Sequence, residues 1–185
     1  AVGEEPDIFV DANQNWSLDE ALAAINLLSE AGITFVEEPI PASAPLELWG
    51  ALAAGSPVPL AAGENITSLT DFEAHLANGA LGFYQPDVAK WGGVSGCLDV
   101  GRKVQEAGFV YCPHYMGTAV GLAASMHLLA AVGGDGLVEP DSNSNPLRTD
   151  LCDLDLSVSG GHVRVPEGHG IGVVPDVEAL RRYQV

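Results

Sequence analysis

The stretch Ile33-Thr34-Phe35-Val36-Glu37-Glu38-Pro39 runs from a β-branched and aromatic tract straight into two carboxylates and a proline. The tract has the composition of a buried strand. An exit onto two adjacent charges would be a local oddity if it stood alone, but it recurs. Apolar tracts also end at Asp11 (IFVDANQ), Glu64 (VPLAAGEN), Asp87 (GFYQPD), His114 (FVYCPH) and Glu139 (DGLVEP). In chain order these polar residues are 26, 27, 23, 27 and 25 positions apart.

Strand-length tracts lie at Ile8–Val10, Ile33–Val36, Val58–Ala61, Leu81–Tyr84, Phe109–Cys112 and Gly136–Val138. Helical periodicity fills the intervals. Leu18–Ala31 follows Ser17, with Glu20 three positions on, the signature of a capping box. Pro45–Ala54, Leu69–Asn78, Gly93–Ala107 and Gly117–Val132 each close on glycine. Strands alternating with helices predict parallel βα units. A polar group at every strand's C-terminal end is the layout of a (β/α) barrel, whose sites are assembled from the loops on that face. The expected fold is therefore α/β, a partial TIM-like (β/α)7β barrel of about six βα units. After Asn145 the character changes. LDLSVSGGHVRVPEG predicts a β-hairpin turning at Gly160-Gly161, and Asp176–Tyr183 a short final helix.

Composition narrows the function. The 185 residues suffice for one domain with a core, and 47% are hydrophobic, which excludes disorder. Against 25 acidic residues stand 7 basic ones, a net charge of −18. Such a chain lacks the clustered Lys and Arg that nucleic acid or an anionic membrane requires. The acidity fits either a high-salt habitat or a Lys-poor, Ala/Gly-rich composition. Cys97, Cys112 and Cys152 are odd in number and widely spaced, which points to a reducing, cytoplasmic location rather than a disulfide framework. The apolar stretch from Gly117 to Gly134 is broken by Ser125 and His127 and is short for a membrane span.

The strand-end residues suggest chemistry. Asp11, Glu37 and Glu64 come from three successive strands and should converge. Three carboxylates together repel unless a cation sits among them, and hard oxygen donors select Mg²⁺ or a similar ion. Asp87 and His114, on adjacent strands, are within reach of a hydrogen bond. A carboxylate beside an imidazole raises its pKa and fixes its tautomer, giving a proton-transfer group. Glu139 is either a loop acid or, when protonated, a donor to a substrate carboxylate or enolate. Lys90, and Asn65 beside Glu64, are expected to support the metal acids from behind, although Lys90 also suits a loop cap. The sequence DANQNWSLDEAL mimics a calcium loop but places Trp16 where glycine is needed. His127 reads as packed, and His75, His162 and His169 form no constellation.

As an ordered set, VDANQ, VEEP, GEN, QPDVAKWGGV, CPH with AVGLAASMHLLAAV, and EPDSNSNPLR resemble the enolase superfamily, within it the mandelate racemase subgroup. The resemblance implies one Mg²⁺ per site, held by Asp11, Glu37 and Glu64, and an Asp87–His114 dyad. It implies that Glu139 hydrogen-bonds the substrate carboxylate and that Asn13 lies near the substrate. It also implies abstraction of a proton α to a carboxylate: dehydration of a sugar acid, with racemisation or epimerisation of a 2-hydroxy acid as the alternative. It further implies a homo-oligomer when full length. The superfamily has a capping domain and two strands ahead of the one ending at Asp11, the second of them bearing a Lys-x-Lys base motif. The resemblance thus reads residues 1–153 as barrel from the third strand onward, and 154–185 as a tail that packs on a capping domain. A fragment of a longer protein, a truncated product and a non-catalytic remnant all stay open as expectations.

Overall fold

Ser17 caps the first helix as its sequence demands. Glu20 N donates to Ser17 Oγ at 3.4 Å, and Ser17 N donates to Glu20 Oε2 at 2.8 Å. The computed structural model describes residues 7–184. Within them, β1 (Phe9–Asp11), α1 (Leu18–Ser29), β2 (Phe35–Glu37), α2 (Leu46–Gly55), β3 (Leu60–Ala62) and α3 (Leu69–Asn78) follow in order. Then come β4 (Phe83–Tyr84), α4 (Gly93–Glu106), β5 (Val110–Tyr111) and α5 (Ala119–Val132). The five strands form one parallel sheet in sequential order. This is the α/β architecture of a TIM-like barrel wall, with a helix returning the chain after each strand.

Side chains alternate across that wall. Trp49, Leu52, Phe72, Val100 and Val104 pack the helices onto the outer face of the sheet, all fully buried. On the inner face Phe9, Phe35 and Phe83 form a ladder, with ring centroids 4.5 and 4.8 Å apart. The inward positions two residues further along these strands are Asp11, Glu37 and Gln85. The aromatic rung is thus the apolar floor, and the polar groups stand above it.

The sixth expected strand forms no ladder. Gly136–Val138 follows β5 with Leu137 N donating to Cys112 Sγ at 3.4 Å, so an amide that a strand would give to a carbonyl goes to a thiol. The register of β5 is not propagated, and the segment delivers Glu139 as a loop residue. Beyond it come a short α6 (Pro146–Thr149), which the sequence reading did not identify, the expected hairpin of β6 (Val158–Ser159) and β7 (His162–Val163), and α7 (Val177–Arg181). This C-terminal part packs on α5. Leu151, Cys152 and Val173 meet Ala119 and Ala123, while Leu156 and Val163 meet Leu122 and Met126. Among the described residues no helix is long and apolar enough to cross a membrane.

Candidate active site

The loop after β1 is built to hold Asp11. Asn13 and Gln14 take left-handed backbone angles, φ 49° and 63°, which turn the chain sharply back. Asn13 N donates to Asp11 Oδ1 at 2.8 Å and Asn13 Nδ2 donates to Oδ2. Gln14 ties this loop to the next, its N–H reaching Glu38 O at 2.7 Å and its Oε1 accepting from Ala42 N at 2.8 Å.

The two glutamates of ITFVEEP part company. Glu37 faces the bowl. Burial, opposed by the Gln85 amide and reinforced by Glu139 and Asp11, lifts its carboxyl to about 7. Glu38 sits at φ 37°, in a region that only a surrounding structure can enforce on a non-glycine residue. It is 1% exposed, and both its oxygens accept from Asn65 Nδ2, at 3.0 and 2.8 Å.

The same Asn65 amide reaches Glu64 Oε1 at 2.8 Å, and Lys90 Nζ lies 3.2 Å from that oxygen. The other oxygen, Glu64 Oε2, meets His114 Nε2 at 2.5 Å. The hydrogen bond to His114 outweighs burial, and with Lys90 it brings Glu64 down to about 2. His114 Nδ1 lies 2.7 Å from Asp87 Oδ2. Burial opposes a charged imidazole here, but Asp87 and Glu64 overcome it and hold His114 at about 9. Asp87 is itself oriented by Ala89 N at 2.7 Å and Lys90 N at 3.2 Å.

A cavity of about 300 Å³ opens over these groups, lined by Asp11, Glu37, His114, Met116, Glu139 and Asp141. Burial raises the Glu139 carboxyl, against a hydrogen bond from Gln85. Of the expected residues, Asp11, Glu37, His114 and Glu139 line this cavity, while Glu64 and Asp87 lie behind His114 and contact its ring nitrogens. Asn13 has its side chain committed to Asp11, and Lys90 and Asn65 both contact Glu64 Oε1. Sequence reasoning overlooked Glu38 and Gln85. Both are buried, and Gln85 was legible as the inward position between Phe83 and Asp87. His127 is packed as expected, its Nε2 3.1 Å from Ile171 O.

The donor set suits a hard divalent ion, since Asp11, Glu37 and Glu64 offer only carboxylate oxygens. They are not drawn into a ready cluster. Among the described residues no three His, Cys, Asp or Glu side chains are gathered as a cation site. Asp11 is engaged by Asn13, and Glu64 by His114 and Lys90.

Residues 1–180 match the family model described as enolase C-terminal domain-like. The chain belongs to that family. Its fold superimposes with a TM-score of 0.93 on a mandelate racemase/muconate lactonizing enzyme from Bordetella bronchiseptica RB50, at 45% identity over 97% of this chain and 50% of that one. The arabinonate dehydratase of Saccharolobus solfataricus is 32% identical over 92% of this chain and 45% of its own length. The L-talarate/galactarate dehydratase of Salmonella typhimurium LT2, solved with Mg and L-lyxarohydroxamate, aligns with a TM-score of 0.84 at 27% identity, over 97% of this chain and 43% of that one. The curated relatives that the chain matches include sugar-acid dehydratases and cycloisomerases, and the chain spans about half the length of these.

Proposed function

We propose that this chain supplies the metal-holding and acid side of an enzyme that removes the proton α to a carboxylate and dehydrates a sugar acid. The observation that carries the reading is the placing of His114 between Asp87 and Glu64, at the wall of the cavity that Asp11, Glu37 and Glu139 share. Asp11, Glu37 and Glu64 would hold one Mg²⁺, which acidifies the α-proton and offsets the charge of an enediolate.

The chain's own residues have definite parts. Asp87 Oδ2 accepts a hydrogen bond from His114 Nδ1–H and so turns Nε2 towards Glu64 at the cavity wall. An imidazole held at about 9 is protonated at neutral pH, the form that donates a proton to a departing β-hydroxyl. Glu139, its carboxyl raised, can donate a hydrogen bond to the substrate carboxylate. Asn13 stands near the reacting groups and fixes Asp11. By the family resemblance, the base that takes the α-proton stands on a strand ahead of Asp11. The substrate is a small carboxylate, and neither nucleic acid nor membrane is a partner. The full-length protein is a homo-oligomer. A cytoplasmic setting agrees with the free, buried thiols of Cys97, Cys112 and Cys152.

The test is a library of aldonates and aldarates given to the full-length protein, with and without EDTA. Metal-dependent loss of water from one of them is expected, and its absence across the library overturns the proposal. The dyad also suits a racemase or epimerase of a 2-hydroxy acid, a reading supported by the name of the Bordetella structure. Deuterium uptake from solvent without loss of water would select that reading. Measuring the same exchange with the 185-residue chain alone separates a competent half from a non-catalytic remnant.

A further inference from the structure

We infer that Arg148 is a positioning residue whose guanidinium holds the Glu139 side of the cavity, where no strand ladder holds it, and moors it to the loop that carries His114. The inference rests on the role proposed above for Glu139.

Glu139 leaves the sheet without a strand to fix it. The tie of its segment to β5 is the contact of Leu137 N with Cys112 Sγ at 3.4 Å. Among the described residues, no backbone group of residues 139–144 bonds to another backbone group. Gln85 Nε2 reaches only the Glu139 side chain, at 3.3 Å. The main chain beyond Glu139 must be held by something else.

Arg148 supplies that hold. Its Nη1 donates to Asp141 O, and its Nη2 donates to Asn143 O at 2.6 Å. Nη1 also lies 3.5 Å from Asp141 Oδ2, with the Arg148 and Asp141 side chains only 12% and 11% exposed. The other Asp141 oxygen accepts from Asn143 N and Asn143 Nδ2, both at 2.8 Å. The turn just after Glu139 is thus closed around one guanidinium. The planar fork of arginine reaches both carbonyls at once, whereas an ammonium is a single point.

The base of the fork is itself fixed. Asn145 caps α6, its Oδ1 accepting from Leu147 N at 3.1 Å and its carbonyl from Arg148 N at 2.9 Å. Its Nδ2 donates to Gly117 O at 2.9 Å, on the loop that follows His114. A path of hydrogen bonds therefore runs from the His114 loop through Asn145 and Arg148 to the carbonyls beside Glu139. Met116 and Asp141, one from each segment, line the same cavity. The path sets the spacing between the proton donor and the acid that meets the substrate carboxylate.

The test has two readouts. On the 185-residue chain, hydrogen exchange is followed by mass spectrometry in peptides covering residues 136–145. Arg148→Met keeps the length and removes the donors. Exchange there should quicken about tenfold or more, while peptides of α1 and α3 keep the parent rates. On the full-length protein, with the acid that the aldonate and aldarate library selects, Arg148→Met should lower kcat/KM about tenfold or more. The Mg²⁺ concentration for half-maximal rate should stay unchanged, whereas a general loosening of the fold would shift both. On a Glu139→Gln background, Arg148→Met should cost at least about threefold less than on the parent. Arg148→Lys, a point donor, should recover only part of each loss. Parent-like exchange in Arg148→Met, losses independent of Glu139→Gln, a weakened Mg²⁺ response or full recovery by lysine overturns the inference. Should Arg148→Met fail to fold, Arg148→Lys must show the same pattern to a smaller degree. If no acid in the library is turned over, the proposed function falls, and the exchange readout decides by itself whether Arg148 holds this segment.

Discussion

His114 and Asp87 are joined by a 2.7 Å hydrogen bond from Nδ1 to Oδ2, both side chains buried at the exits of neighbouring strands. Asp87 is in turn fixed by the backbone N–H groups of Ala89 and Lys90. Its charge, with that of Glu64, is what keeps the imidazole near 9 despite burial. Asp87→Asn keeps the shape and removes the charge. The His114 titration should then move down by about one pH unit or more, read from imidazole ¹⁵N shifts. An unmoved titration would uncouple the pair.

Asn65 serves three carboxylate oxygens, two on Glu38 and one on Glu64. Asn65→Leu leaves Glu38 buried without its donor. Urea denaturation should show a loss of about 1–3 kcal/mol. A change confined to a few tenths would mean that Glu38 finds another partner.

Gly63→Ala places a β-carbon against the backbone of Gln85, where no flexible group can yield. Strain and overpacking together predict a loss of about 3 kcal/mol or more. Gly79→Ala is the comparison. Gly79 ends α3 at φ 72° with nothing within 4 Å of the added atom, and its loss should stay near 1 kcal/mol. Equal losses at the two sites would remove the steric account of the β3–β4 approach.

His75 lies outside the bowl, 5.7 Å from Trp49 edge to face, with Nδ1 buried and unpaired. Burial lowers its pKa below the ordinary 6.5, and Asp71 only partly opposes that. As pH falls through 6.5 the unfolded chain takes up the proton first. The neutral histidine's contribution is therefore complete above 6.5 and is lost below it. His75→Phe should remove that part of the acid sensitivity. The stability difference between variant and parent should grow in the variant's favour from pH 7.5 to pH 5.5. A difference constant with pH would contradict this.

The barrel wall was legible because two periods agree. The alternation along each strand and the recurrence of strand exits at 23 to 27 positions both put the polar groups on one face. Capping chemistry placed the helices closely. Leu69–Asn78 agrees with its expected span, and the others shift by one or two residues at their ends. The sixth strand was not legible, because its fate turns on one amide choosing Cys112 Sγ. Within VEEP, adjacent acids must point opposite ways, so the separate fates of Glu37 and Glu38 were within reach of the same alternation. How tightly three carboxylates gather was not, since it depends on side-chain rotamers: Asp11 turns to Asn13 while Glu64 turns to His114.

Among the described residues β1 has a neighbour on one side only, and Ile8 and Phe9 beside that flank are 37% and 39% exposed. A bare parallel edge invites other copies to add to it. Mutual repulsion at −18 holds such copies apart, and added electrolyte shrinks its reach to about 10 Å at 0.1 M. Light scattering from this chain should therefore climb as NaCl is titrated in, and purification in dilute buffer should preserve the monodisperse form.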